Sequence, residues 1–228
     1  MAIIRFRDSQ KSLHIGKVLC LGRNYLAHAR EMKAEVPTVP LVFIKPSTAI
    51  IHDGDAVMIP SFSRDLHHEV EMVVVIEKGG TAIPREEAYA HVGGYAVGLD
   101  MTLRDVQEKA KAKGLPWSVS KGFDTSAPIS LAVPKDLVPD PHRLEISLSV
   151  NGKIRQHSST EKMILPVPDI VSYLSGVFTL EPGDLIFTGT PEGVGAVVPG
   201  DLLEATLQQV GTLRVTVQER EKMRLGHA

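Results

Sequence analysis

Glu69, Glu71 and Asp100 are the residues of this chain whose types and spacing most directly suggest chemistry. Side chains alternate faces along a strand, so in His67-His68-Glu69-Val70-Glu71 the two glutamates share one side and Val70 points to the other. The apolar run Met72-Val73-Val74-Val75-Ile76 that follows sets this pair near a core, where like charges are tolerated only if a cation compensates them. Asp100 ends a second apolar stretch, Tyr95-Ala96-Val97-Gly98-Leu99, and a carboxylate at the end of a buried strand asks for a partner. Three oxygen donors favour magnesium, manganese or, less readily, calcium over zinc. The competing reading of Glu-x-Glu, a solvated strand face, loses ground once Asp100 is counted. His67 and His68 lack the helical i, i+4 spacing that brings two histidines to one zinc, which suits supporting or packing roles.

Further groups surround this motif. In Gly22-Arg23-Asn24-Tyr25-Leu26-Ala27-His28-Ala29-Arg30-Glu31-Met32, His28 and Glu31 are three apart. On a helix they share a face, and a carboxylate that holds an imidazole raises its basicity, as a general base requires. The same spacing also describes an ordinary surface His–Glu pair, with Asn24 as the N-cap. Arg104 and Gln107, again i and i+3, start a helix just after Asp100 and are suited to clamp an anion and a carbonyl. Lys121 stands among aromatic residues in Trp117-Ser118-Val119-Ser120-Lys121-Gly122-Phe123, where a solvated lysine is the default. Thr190 belongs to Phe187-Thr188-Gly189-Thr190-Pro191-Glu192-Gly193-Val194-Gly195, a strand running into a Gly-rich turn whose amides and hydroxyls can bind an oxyanion. It lacks the Gly-Lys-Ser/Thr ending of a P-loop.

The elements that must position these residues are mostly short strands. Patterning predicts strands at 17–22, 41–45, 55–59, 67–77, 94–100, 144–150, 153–157, 184–188, 202–208 and 212–218, with Asn151-Gly152 and Gln209-Val210-Gly211 as turns. Helices are expected at 24–33, 84–91, 103–113 and 167–176, and a long structured loop over 115–143. The fold class is therefore α+β and strand-dominated. The chain has 228 residues, 43% hydrophobic and 23% charged, enough for one sizeable core. The net charge of -2 with interspersed signs shows no basic block for nucleic acid, and no apolar run approaches the roughly 20 residues that span a bilayer. The N-terminus has no secretory pattern and Cys20 is the single cysteine, set in an apolar strand, so a cytoplasmic protein with a packed thiol is expected.

Taken in order, Gly22-Arg23-Asn24-Tyr25, Lys45-Pro46-Ser47, His-His-Glu-x-Glu, Gly98-x-Asp100-Met101-Thr102, Arg104-Asp105-x-Gln107, Lys121 and Thr188-Gly189-Thr190-Pro191-x-Gly-Val-Gly resemble the fumarylacetoacetate hydrolase family from about residue 17 to 218. The resemblance implies a mixed β-roll with a few short helices, usually a homodimer. It divides the chain into a short segment 1–16, one catalytic domain 17–218 and a tail 219–228. It implies Mg2+ or Mn2+ on Glu69, Glu71 and Asp100, and His28 with Glu31 as a catalytic dyad on a short lid helix. Lys121, Arg104, Gln107 and Thr190 would contact substrate or oxyanion, and Arg23 and Ser47 would line the pocket.

The activity so implied is metal-dependent cleavage of the C–C bond of acylpyruvates, such as fumarylpyruvate or acetylpyruvate, to pyruvate and a carboxylic acid, with decarboxylation of oxaloacetate at the same site. The alternative within the family is an isomerase, hydratase or decarboxylase of an unsaturated 2-oxo dicarboxylate of aromatic catabolism. Outside it stands a non-catalytic protein that binds a metal or a 2-oxo acid.

Overall fold

The computed structural model describes residues 2–32 and 39–220. The expected tail from 221 onward, and most of the loop before Leu41, lie outside the described residues. Strands dominate, as the patterning predicts. The central sheet runs, edge to edge, Leu41–Lys45, Val18–Gly22, Leu185–Phe187, Val70–Ile76, Val92–Leu99, Ala127–Ile129 and Ile50–His52, with Val133–Pro134 also paired to Val92–Leu99. It is mixed: Val18–Gly22 runs parallel to Leu185–Phe187 and Ala127–Ile129 runs parallel to Ile50–His52, while the other pairs are antiparallel. A second sheet is ordered Lys153–Ser159, Glu145–Val150, Leu202–Leu207, Gly211–Glu219 and Ala56–Ile59.

Alternation along the two central strands divides the core in two. Met72, Val74, Ile76, Tyr95, Val97 and Leu99 pack against Leu148, Leu203, Ala205, Leu213 and Val215 of the second sheet. Val73, Val75 and Ala96 face the opposite way, onto Val18, Cys20, Phe187, Ile4 and Phe6. That second face is closed by a hairpin of Ile3–Arg5 and Ser12–His14, strands too short to show in the patterning. The Asn151-Gly152 turn has both residues at positive φ, 51° and 75°, as a type I′ hairpin requires.

Three expectations need correction. The strand 67–77 is broken at Glu69. Leu66–His68 joins a small sheet with Thr102–Leu103 and Gly195–Val197, and Val70–Ile76 joins the central one. The stretch 115–143 is not simply a loop, since it folds into the helix Ser118–Lys121 and the strand Ala127–Ile129. The helix expected over 24–33 spans Leu26–Glu31. Asn24 is not its cap: its amide donates to Leu165 O and Thr188 O and accepts from Leu165 N, tying two loops together.

Candidate active site

The break at Glu69 is what assembles the site. Asp100 N donates to Glu69 O at 2.8 Å, so the end of one central strand is tied to the start of its neighbour. Ligand oxygens of Glu69, Glu71 and Asp100 consequently lie within 4.8 Å of one another, and all three residues are buried. Gly189 N donates to Glu71 Oε2 at 2.7 Å. Gly189 has φ +97°, and a Cβ there would meet Asn24 Cβ at 2.7 Å, so the close approach of this amide requires glycine.

Cations answer the carboxylates. Lys121 Nζ lies 2.8 Å from Glu69 Oε2 and 2.6 Å from Asp100 Oδ2, and it is buried rather than solvated. Arg104 Nη2 donates to Glu69 Oε1 at 2.6 Å, and its Nη1 donates to Gln107 Oε1 at 2.7 Å. Lys45, fully buried at the end of its strand, stands 2.7 Å from Asp100 Oδ1 and donates to the carbonyls of Lys121, Met101 and Ser126. Burial raises the Glu69 carboxyl, but Lys121 and Arg104 outweigh it and hold the group below the usual carboxylate range. Glu71 is also favoured by the Gly189 amide and by Lys121, but burial with the charges of Asp100 and Glu69 outweighs them and pushes it well above that range.

A divalent cation suits this donor set. Three carboxylates meet in a buried place, one of them forced toward the neutral acid by its neighbours. Asp100 Oδ1 makes only a charge contact with Lys45 and has no hydrogen-bond partner among the described residues. All-oxygen donors of this kind match magnesium and manganese.

Above the carboxylates opens a cavity of about 340 Å³. Glu69, Glu71, Arg23, His28, Arg104, Gln107, Lys121 and Thr190 line it, with Leu41, Phe43 and Trp117 as apolar wall. His28 Nδ1 is 3.3 Å from Glu31 Oε2, and Glu31 in turn accepts from Gly193 N at 3.1 Å, which pins the short helix to the Gly-rich turn. Arg23, just before that helix, takes φ 62°, a left-handed conformation that a non-glycine residue holds only under local constraint. Ser47 is set apart: it opens the short turn Ser47–Ala49 and does not line the cavity.

Two residues of the site received no role from the sequence, although Lys45 stands in a matching motif. Lys45 carried a signal like that of Asp100, a charge at the end of an apolar strand. Gln156 carried none: it sits in a hairpin strand far along the chain, yet its amide donates to Thr190 Oγ1 at 2.8 Å and Pro191 O at 2.9 Å. Its carbonyl accepts from Val70 N and from His68 Nδ1, each at 3.0 Å. His68 therefore supports the site through Gln156, and His67 pairs with Asp65 at 2.9 Å.

A curled mixed sheet with a buried Glu–Glu–Asp cluster under a cation-lined cavity defines a class of enzymes. The chain belongs to the fumarylacetoacetate hydrolase family: residues 17–218 match the family model described as fumarylacetoacetate hydrolase C-terminal. It is 49% identical over 204 residues to mouse oxaloacetate tautomerase FAHD1, mitochondrial, covering 90% of this chain and 92% of that protein. The human protein of the same name is 47% identical over 204 residues, with the same coverage. Among solved structures, the fold is similar to fumarylpyruvate hydrolase from Pseudomonas aeruginosa in complex with Mn2+ and pyruvate, with a TM-score of 0.93, 43% identity and 96% of each chain covered. It is also similar to 5-carboxymethyl-2-hydroxymuconate delta-isomerase from Mycobacterium smegmatis, at a TM-score of 0.83 and 36% identity over 94% of this chain and 87% of that one.

Proposed function

We propose that this protein is a divalent-metal-dependent enzyme that cleaves acylpyruvates such as fumarylpyruvate or acetylpyruvate to pyruvate and a carboxylic acid. The observation that carries this reading is the His28–Glu31 pair, whose His28 lines the same cavity as Glu69 and Glu71 of the Glu69–Glu71–Asp100 cluster. A bound Mg2+ or Mn2+ supplies Lewis-acid stabilisation to the oxygens of a 2-oxo acid as its carbon–carbon bond breaks. The residues do the rest. Arg104 and Gln107 orient the carboxylate end. His28, held by Glu31, takes a proton from water as the water oxygen bonds to the distal carbonyl carbon. Lys121 and Thr190 donate toward the oxyanion that forms there. Collapse of that oxyanion expels the pyruvate carbon with the electron pair of the broken bond, and the proton held on His28 goes to that carbon. Water and acylpyruvate thus become acid and pyruvate.

The names of the mouse and human relatives favour a second reading, keto–enol interconversion of oxaloacetate. It needs the same carboxylate floor but only a proton carried from carbon to oxygen, and decarboxylation of oxaloacetate would use that floor too. A homodimer and a reducing compartment are part of the proposal, the latter consistent with the buried free thiol of Cys20. Those relatives are named mitochondrial, and among the described residues no helix is long and apolar enough to cross a membrane.

The test supplies purified protein and Mg2+ with acetylpyruvate, fumarylpyruvate or oxaloacetate, and follows pyruvate and enol absorbance separately. Pyruvate release from an acylpyruvate, abolished by His28→Ala, supports hydrolysis. Enol loss from oxaloacetate without pyruvate, and no cleavage of either acylpyruvate, would replace the first reading by the second.

A further inference from the structure

We infer that Lys111 is a specificity-determining residue that binds a second carboxylate at the far end of the substrate, so that the site selects 2-oxo dicarboxylates. The inference rests on the reading of the cavity as a 2-oxo acid site. Arg104, Gln107 and Lys111 all line the cavity and fall at i, i+3 and i+7 of the helix Arg104–Ala112, which puts them in one stripe. Arg104 is tied to Glu69 and Gln107 is tied to Arg104, which fixes the inner end of the stripe at the carboxylate floor. Lys111 lies about 10 Å further along the helix axis at 1.5 Å per residue. That separation suits a substrate with an anionic group at each end.

Electrostatics point the same way. Four cations line the cavity, Arg23, Arg104, Lys111 and Lys121; Arg104 and Lys121 are held by the floor carboxylates Glu69 and Asp100, and Lys111 stands outside that set. Partial burial and the neighbouring Arg104, Arg23 and Lys121 push the Lys111 ammonium below its ordinary pKa. Among the described residues Lys111 forms no ion pair, and its Nζ sits 5.1 Å over the ring of Trp117. Lys111 keeps its exposure to solvent while its ammonium lies over the indole that lines the cavity, so it stays hydrated and open to an incoming anion. Leu41, Phe43 and Trp117 complete that wall and suit the carbon chain between two carboxylates.

The test uses the full chain with saturating Mg2+ and two inert ligands of equal length, 2-oxoadipate and 2-oxohexanoate, titrated calorimetrically. One charge-assisted contact corresponds to about tenfold in affinity, so the wild type is expected to prefer 2-oxoadipate by about that factor. Lys111→Met should bind the two ligands alike, and Lys111→Arg should keep the preference. A wild type without preference, or a preference retained in Lys111→Met, would overturn the assignment. A second readout is the ratio of kcat/KM for fumarylpyruvate to that for acetylpyruvate, which should fall about tenfold in Lys111→Met. An unchanged ratio with both rates lowered would indicate a structural role and sink the idea. If the wild type cleaves neither acylpyruvate yet prefers 2-oxoadipate, the hydrolase reading fails while Lys111 keeps its role.

Discussion

Lys45 and Asp100 form a fully buried ion pair, with Nζ 2.7 Å from Oδ1, at the ends of two strands of the central sheet. The same ammonium ties the carbonyls of Lys121, Met101 and Ser126, so one residue joins the charge balance of the site to the backbone around it.

Removing one partner of a buried pair leaves an uncompensated charge, which costs about 3–5 kcal/mol. Lys45→Met is therefore expected to lower the unfolding free energy by that order in metal-free protein. Urea denaturation with and without Mg2+ checks it. The loss should shrink when the metal is present, because a cation on Asp100 replaces the missing ammonium.

Metal binding should stabilise the fold. At a metal concentration of 100 times Kd the gain is about 2.7 kcal/mol, readable as a raised Tm. Glu71→Gln and Asp100→Asn should each abolish both the shift and the turnover. A full shift in either variant would place the cation elsewhere.

Gln156→Leu strands the Val70 amide and the His68 imidazole and frees the Thr190 hydroxyl. A loss of about 1–3 kcal/mol per stranded buried group is expected in stability. In steady-state kinetics kcat should fall with it, since Thr190 is no longer aimed. Full turnover in a folded Gln156→Leu would show that Thr190 needs no such tether.

His142 gives the fold a pH dependence away from the site. Its Nε2 accepts from Val167 N at 3.4 Å and sits 3.1 Å from the Tyr89 hydroxyl, an arrangement that uses the neutral ring. Burial lowers its pKa from 6.5. The unfolded chain therefore binds the proton first, and stability should drop as pH falls from about 6.5 and level off below the folded value. His142→Gln should flatten that part of a Tm-against-pH curve; an identical curve would remove His142 as its source.

Cys20 is wholly buried, and burial pushes its thiol well above the ordinary value. Thiol reagents at neutral pH should label the protein only after denaturant is added. Labelling of the native protein at a rate typical of exposed cysteine would contradict the packing of the Val18–Gly22 strand.

Local sequence determined much of this. Period-two alternation along 70–76 and 94–99 reports which side chains face which layer, because strand geometry allows no other arrangement, whereas Glu69 meets Glu71 and Asp100 through a break in its strand that alternation does not show. The Asn-Gly turn and the i, i+3 pairs His28–Glu31 and Arg104–Gln107 are equally local. The short hairpin at the N-terminus and the strand inside 115–143 were invisible, since three-residue strands exist only through their partners.

What tertiary structure alone decided is the company those residues keep. Whether a lysine is solvated or buried depends on which distant segments close over it, and no spacing rule encodes that. Lys121 became a buried counter-charge because its helix lands on Glu69 and Asp100. Lys45 joined it, and Gln156 reached Thr190 and His68 from across the fold. Ser47, despite its place in a matching motif, was left off the cavity. Sequence supplied the donors and their faces, and burial with long-range pairing set their charges and partners.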